Sequence, residues 1–366
     1  MTETRNKDNI INVGIIGAGI AAQKHLLGYK SCDNVCVAAV VDTQASRART
    51  FAQMWGIPNH YDSLQQFLKH TNTQLVSVCT PVSDHMPSVV ACADAGLHIL
   101  CEKPLAINLT QADAMIETCH STGRTFAVGF HQRYHPLLHQ IHQLIRLGGL
   151  GKVHLLQGHK SYHYELERLQ PPSWYIDPKR AGGGALFEFA SHHFDLSRYL
   201  LGETAGVQAW QSNSVYRLDV EDHGVALLAF VKGAMGTLSF TWTNVKGHDN
   251  ELRVYGETGM CKFSSYNGDF AQLDIFSSRS SNPLAEQLPN SDIRVRQYSF
   301  AGRDRIHHQI LLKDNTHPII HQVRDVIRCI RTGDKPRCTG EDARATLALT
   351  LAVTESAKQR GQFVQC

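Results

Sequence analysis

The stretch INVGIIGAGIAA, Ile11 to Ala22, constrains this chain more than any other. Ile11 to Ile16 reads as a short buried strand. It runs straight into Gly17-Ala18-Gly19, and a helix-forming run from Ile20 to about Tyr29 follows. Strand, glycine turn and helix in that order are what a dinucleotide phosphate site requires. Gly17 permits the sharp turn, Gly19 leaves the backbone bare for a pyrophosphate, and Ala22 is small enough for helix to pack on strand. The first-turn N–H groups of Ile20, Ala21 and Ala22 add the positive end of the helix dipole. Taken alone, the motif is equally an ordinary glycine turn before a helix.

A second feature weakens that alternative. Val35 to Val41, VCVAAVV, reads as another buried strand with Asp42 at its end. Asp42 stands about twenty positions beyond Ala22, where a carboxylate accepts both ribose hydroxyls of adenosine and repels a 2′-phosphate. NAD is therefore the expected cofactor, and Arg47 nearby keeps NADP possible. The competing role for Asp42 is the N-cap of a helix over Ala45 to Met54.

At 366 residues the chain exceeds one ordinary core, so two domains are expected. A net charge of +3 from 36 basic and 33 acidic residues gives no reason to expect nucleic acid or an anionic membrane as partner. The polar start MTETRNKDNI lacks an apolar signal core and no run reaches membrane-spanning length, so a cytoplasmic protein is expected. Ten cysteines are scattered without a CxxC pair, which suits reduced thiols. His131, His135, His139 and His142 invite a metal reading. Pro136 breaks any single helix through them, and neither HExxH nor a carboxylate shell accompanies them, so no metal is expected.

Downstream, strands and helices alternate. Ser63–His70 reads as a helix, Gln74–Cys79 a strand, Asp84–Ala95 a helix, His98–Cys101 a strand, Thr110–Thr122 a helix and Thr125–Phe130 a further strand. Repeated β–α units imply a parallel, doubly wound sheet, whose ligands lie beyond the strands' carboxyl ends. Thr80-Pro81 and Glu102-Lys103-Pro104 occupy such ends. Near residue 150 the pattern changes to a helix over about Ala185–Leu201 and then short strands with tight links, an α+β domain with a mostly antiparallel sheet. Residues 277 to 305, rich in Ser, Asn and Arg, read as loops. Two helices, Pro318–Arg331 and Gly340–Arg360, finish the chain.

Two groups carry candidate chemistry. Lys103, at a strand end before Pro104, is placed to hydrogen-bond a substrate hydroxyl and stabilise a developing alkoxide, or is a plain surface lysine. In GGGALFEFASHHFDLSRYLLG, Glu188, His192 and Asp195 fall at i, i+4 and i+7, one face of a single helix. A carboxylate there orients the imidazole, and the imidazole accepts a proton near neutral pH. The alternative is a polar helix face opposite a core of Leu186, Phe189, Phe194 and Leu196.

Together the blocks GIIGAGIAA, VVD, CTPVSDH, AGLHILCEKPL, FHQRYHP, GGGALFEFASHHFDL, VYGETGMCKF and GEDARATLAL run nearly the whole chain. In that order they resemble the Gfo/Idh/MocA oxidoreductases, the glucose–fructose oxidoreductase and inositol dehydrogenase group. The resemblance implies an N-terminal Rossmann NAD-binding domain over 1–131 and an α+β substrate-binding and oligomerisation domain over 132–366. It implies a catalytic group of Lys103, Glu188 and His192, with Asp195 supporting the helix. Thr80, Pro81, His85 and Glu102 would line the nicotinamide end, and Arg133 would contact cofactor or substrate. It further implies a sugar or polyol substrate and a homo-dimer or homo-tetramer. Two departures stand out: Glu188 where the family usually has Asp, and Ala190 where Gly is frequent. A non-catalytic NAD-binding regulator and an NAD-dependent redox glycosidase are the competing functions on the same scaffold.

Overall fold

The computed structural model describes residues 10–164, 173–266, 270–278, 291–300, 303–312 and 316–366. The chain divides into two compact units, one holding the residues up to His131 plus Pro318–Ala345, the other Gln132–His317 plus Thr346–Cys366.

The first unit alternates β1 (Ile11–Ile16), α1 (Ile20–Lys30), β2 (Val35–Val41), α2 (Ala45–Trp55), β3 (Asn59–Tyr61), α3 (Leu64–His70), β4 (Leu75–Val78), α4 (His85–Asp94), β5 (His98–Cys101), α5 (Leu109–Ser121) and β6 (Phe126–Val128). All pairs in its sheet are parallel, in the order β3-β2-β1-β4-β5-β6. The strand order reverses between β1 and β4, so the ligand crevice of such a sheet opens beside the turns after these two strands. β4 is buried along its whole length, as a strand covered on both faces must be. The short β3 has no apolar run, and its sequence gave no strand signal. Ser63 caps α3 and Asn108 caps α5, each accepting a first-turn N–H.

The structure differs from the single boundary expected at 131. Residues 318–345 group with the first unit. The cause is the apolar face of a late helix, Pro318–Thr332, whose Ile319, Val323, Val326 and Ile327 share one core with Ile11, Val13, Tyr29, Leu75 and Leu100. Gly28 makes this packing possible, because a Cβ there would lie 2.8 Å from Val323 Cγ2.

The second unit opens with α6 (Pro136–Arg146), β7 (Val153–Ser161), α7 (Pro178–Ala181) and α8 (Ser191–Leu201). There follow β8 (Thr204–Ser212), β9 (His223–Phe230), β10 (Met235–Thr241), β11 (Asp249–Gly256), β12 (Gly259–Tyr266), β13 (Phe270–Ser277), β14 (Ser291–Phe300) and β15 (Arg303–Leu312). The helix Pro318–Thr332 is α9, α10 spans Gly340–Lys358, and β16 (Val364–Gln365) ends the chain. The sheet order is β14-β15-β13-β12-β11-β7-β10-β9-β8-β16, with β7 and β10 parallel and every other pair antiparallel. β9 alternates buried and open positions, the mark of a sheet with one covered face. Leu186, Phe194, Leu228, Phe240 and Leu252 belong to the core on that face.

Residues 277 to 305 are a correction. Within that range β14 pairs in antiparallel register with β15, which the range only partly contains. Arg294 and Arg296 concealed the sequence alternation of Ile293 and Val295, and Val295 is itself exposed. The remainder of that stretch, 279–290 and 301–302, lies outside the described residues.

Candidate active site

The turn after β1 is built as its sequence suggested. Gly17 adopts φ +93, and a Cβ there would sit 2.6 Å from the carbonyl oxygen of Cys79. Gly19 is the opposite case, since a Cβ there would meet nothing within 4 Å. Gly19 is also the N-cap of α1, and no side chain caps that end. The first turn of α1, Ile20 to Ala22, therefore starts from an open glycine and holds no acidic residue of its own.

Asp42 is buried at the end of β2 and is not the N-cap of α2, which is Gln44. Its Oδ2 accepts the Ala18 N–H at 3.0 Å and its Oδ1 accepts the Gln44 N–H at 2.9 Å. The carboxylate thus ties the glycine turn to the start of α2. Each oxygen keeps lone-pair capacity for a further donor. Arg47 lies 3.6 Å from Asp42 Oδ2 on an exposed side chain, a pair worth at most about 1 kcal/mol.

The carboxyl ends of β4 and β5 supply the next residues. Thr80 follows β4 and its Oγ1 is buried with no partner among the described residues. Pro81 precedes a 3-10 turn, Val82–Asp84. His85 starts α4 and is buried. Its Nδ1 lies 3.0 Å from the Pro104 carbonyl and its Nε2 3.1 Å from that of Thr80, so it braces the two loops. Burial lowers its pKa, against the backbone hydrogen bonds that favour the charged ring. Lys103 is partly buried and joined to Pro104 by a cis peptide bond. Glu102 turns inward. Its Oε2 accepts the Lys103 N–H at 3.1 Å and its Oε1 lies 2.9 Å from His25 Nε2.

The groups around this turn fit a dinucleotide. An uncapped helix start, an open glycine, an acidic residue at the end of β2 and an orphaned buried hydroxyl at the end of β4 are the donors and acceptors such a ligand engages.

In the second unit, Glu188, His192 and Asp195 do not lie on one continuous α-helix. Ala185–Phe189 is a π-turn, in which the Ala190 N–H reaches back to the Ala185 carbonyl at 2.9 Å, and α8 begins only at Ser191. The extra residue per turn rotates Glu188 away from the α-helical register that i, i+4 spacing assumes. Only His192 and Asp195 share α-helical register. All three are buried.

The π-turn has its own mount. Glu221 Oε1 accepts N–H groups from Gly184 at 2.8 Å, Leu186 at 2.9 Å and Phe187 at 3.1 Å, and its backbone carbonyl accepts the Ala185 N–H. A Cβ on Gly184 would run into that carbonyl. Glu221 thus satisfies the donors that a buried helix start leaves over.

Asp195 is held rather than offered. Both its oxygens take Arg133, at 2.7 and 2.8 Å, and Thr346 Oγ1 adds a contact at 3.2 Å. Arg198 reaches the same threonine at 3.0 Å. Arg133 is itself buried, and its guanidinium lies 5.1 Å from the centre of the Tyr199 ring. Its two donors on Asp195 form a bidentate, structural pair. The sequence missed Glu221, Thr346 and His25. The only available signal was for His25, a histidine on the otherwise apolar face of α1 with Ala22, Leu26 and Tyr29.

Family models agree with this architecture. Residues 11–130 match "Oxidoreductase family, NAD-binding Rossmann fold" and residues 138–262 match the GFO/IDH/MocA C-terminal domain. The chain belongs to the Gfo/Idh/MocA oxidoreductases. It is similar to a myo-inositol 2-dehydrogenase of Thermotoga maritima, 25% identical over 96% of this chain and 97% of that one. It is also similar to a D-glucoside 3-dehydrogenase of Escherichia coli, 31% identical over 52% of this chain and 54% of that one. Its fold is that of the WlbA dehydrogenase of Bordetella pertussis, solved in complex with NADH and UDP-GlcNAcA. The TM-score is 0.84, at 21% identity, covering 98% of each chain.

Proposed function

We propose that this protein is an NAD-dependent dehydrogenase that oxidises a secondary alcohol of a sugar, cyclitol or derivative. The observation that carries the reading is the turn after β1, open at Gly19 and tied at Ala18 to Asp42. The names of the relatives supply the substrate class. Bound NAD supplies a hydride acceptor. Lys103 binds the reacting hydroxyl and stabilises the alkoxide that develops on its oxygen. His192 takes the hydroxyl proton as the carbon–hydrogen bond yields its electron pair, and Glu188 sets the orientation of the ring. Thr80, Pro81 and Glu102 form the nicotinamide end, with His85 behind them. Arg133, committed to Asp195, supports α8 from beneath.

NAD is favoured over NADP because the Asp42 carboxylate repels a 2′-phosphate. A cytoplasmic location and a homo-dimer or homo-tetramer built on the second unit's open sheet face complete the proposal. Among the described residues no helix is long and apolar enough to cross a membrane.

The test is incubation of the purified protein with NAD and a panel of inositols, free sugars and aryl glycosides. NADH formation with a polyol or sugar is the expected result. Aglycone release without NADH would indicate a redox glycosidase, and tight NAD binding without turnover a regulator. His192→Ala should retain NAD binding and lose turnover by about a hundredfold or more.

A further inference from the structure

Behind Glu102 and Lys103 the first unit contains a buried polar chain, Tyr29, Ser77 and His25, that the proposed chemistry does not use directly. Tyr29 Oη lies 2.7 Å from Ser77 Oγ, and Ser77 Oγ lies 2.9 Å from His25 Nδ1. His25 Nε2 lies 2.9 Å from Glu102 Oε1, and Glu102 Oε2 accepts the Lys103 N–H. The chain thus runs from α1 across β4 to the residue after β5. His25, Ser77 and Tyr29 are fully buried.

The surroundings are shaped to this pair. The Glu102 N–H bonds the Val78 carbonyl at 2.9 Å, and the Gly129 N–H bonds the Cys101 carbonyl at 2.7 Å. A Cβ on Gly129 would come within 3.1 Å of the Glu102 carboxylate. A larger residue there would press the carboxylate back by a few tenths of an ångström. A buried ion pair does little for stability compared with apolar side chains of like volume. What it provides is a fixed arrangement of donors and acceptors.

We propose that His25 is a positioning residue for Lys103, and that as an imidazolium it keeps the Glu102 carboxylate an acceptor that anchors the Lys103 backbone. This rests on the reading of Lys103 as an active residue. A neutral Glu102 carries a proton on one oxygen. Buried and alone, a carboxyl group takes up that proton readily. When that oxygen is Oε2, the Lys103 N–H loses its acceptor. The imidazolium prevents this.

The titratable groups facing His25 are Tyr29 from α1, Cys79 beyond β4, and Glu102 with Lys103 beyond β5. Burial opposes the charge on His25, but Cys79 and the Glu102 carboxylate outweigh it and push its pKa up to about 10. Burial also opposes charge on Glu102, but the hydrogen bond and charge of His25 hold its pKa below the ordinary value. The histidine's contribution to stability is complete below its unfolded pKa near 6.5 and disappears as pH rises through about 10. That of Glu102 is present above its unfolded value near 4.5 and disappears as pH falls through its lowered pKa.

The experiment reads hydrogen exchange at the Lys103 amide in the cofactor-free full chain, alongside turnover. His25→Leu should speed that exchange tenfold or more, increasingly so from pH 8 to pH 6, while the β4 and β5 amides stay protected. Adding Glu102→Gln to His25→Leu should restore most of the protection, because an amide oxygen accepts without needing a cation beside it. Unchanged Lys103 exchange in the single variant, or faster exchange in the double variant than in the single, overturns the proposal. So does acceleration spread evenly over β4 and β5, which marks a merely structural role. Should His25→Leu fail to fold, imidazole nitrogen NMR of the unaltered protein decides: a buried imidazolium at pH 7.5 supports the pair, and a neutral ring there overturns it. If exchange responds as described but no alcohol is oxidised, the link from His25 to Lys103 stands and the dehydrogenase reading is what fails.

Discussion

Two of the molecule's glycine turns do opposite jobs. The turn at Gly17–Gly19 in the first unit leaves space: Gly17 presses on Cys79, but Gly19 faces nothing and begins an uncapped helix. The turn at Gly182–Gly184 in the second unit leaves none. Gly182 adopts φ +86 with Phe187 packed on it, and the N–H groups of Gly184, Leu186 and Phe187 are all taken by Glu221. One turn is proposed to receive a dinucleotide's phosphates. The other is a mount that fixes the π-turn carrying Glu188. Similar glycine-rich sequences thus leave the backbone free in one place and fully engaged in the other.

Substitutions can break this contrast. The largest loss of stability is expected outside both turns, at the ion pair that holds α8. Asp195→Ala leaves Arg133 buried without its carboxylate and should cost about 3–5 kcal/mol in denaturant unfolding. Gly184→Ala forces a methyl group onto the Glu221 carbonyl, and about 2–3 kcal/mol should be lost in the same measurement, with turnover. Gly19→Ala should do the reverse. It has room for the methyl group, so unfolding should shift by at most about 1 kcal/mol, while calorimetric titration shows NAD binding weakened tenfold or more. Equal stability losses at Gly19 and Gly184 would erase the distinction. The smallest effect tests nothing but local capping: Asn108→Ala should cost about 1 kcal/mol through the lost bond to the Gln111 N–H.

The first unit was legible because its signals are local. Buried parallel strands read as apolar runs, and a glycine turn at the end of one fixes where the ligand crevice lies. The second unit was less so. In its β14 the exposed Asp292, Arg294, Arg296 and Gln297 surround Ile293 and Val295, so the two-residue period was lost among polar side chains. The helical spacing of Glu188, His192 and Asp195 assumed 3.6 residues per turn. A π-turn depends on the distant Glu221, and no window around 188 contains it. The same holds for the Arg133–Asp195–Thr346 cluster, whose members are 62 and 151 positions apart. His25 sits on α1 just beyond the best-read motif of the chain, yet its partners Ser77 and Glu102 come from β4 and the residue after β5. Single-sequence patterns reveal faces and turns; polar networks joining distant strands need coordinates.

The central claim is a hydride passed from a carbinol carbon to nicotinamide. The direct measurement uses inositols and glucosides carrying deuterium at the oxidisable carbon, with mass analysis of the recovered cofactor. Deuterium is expected in NADH, one atom for each alcohol oxidised, forming about a hundredfold more slowly, or slower still, when His192→Ala replaces the unaltered protein. Tight NAD binding with unlabelled cofactor and intact alcohol across the panel would contradict it.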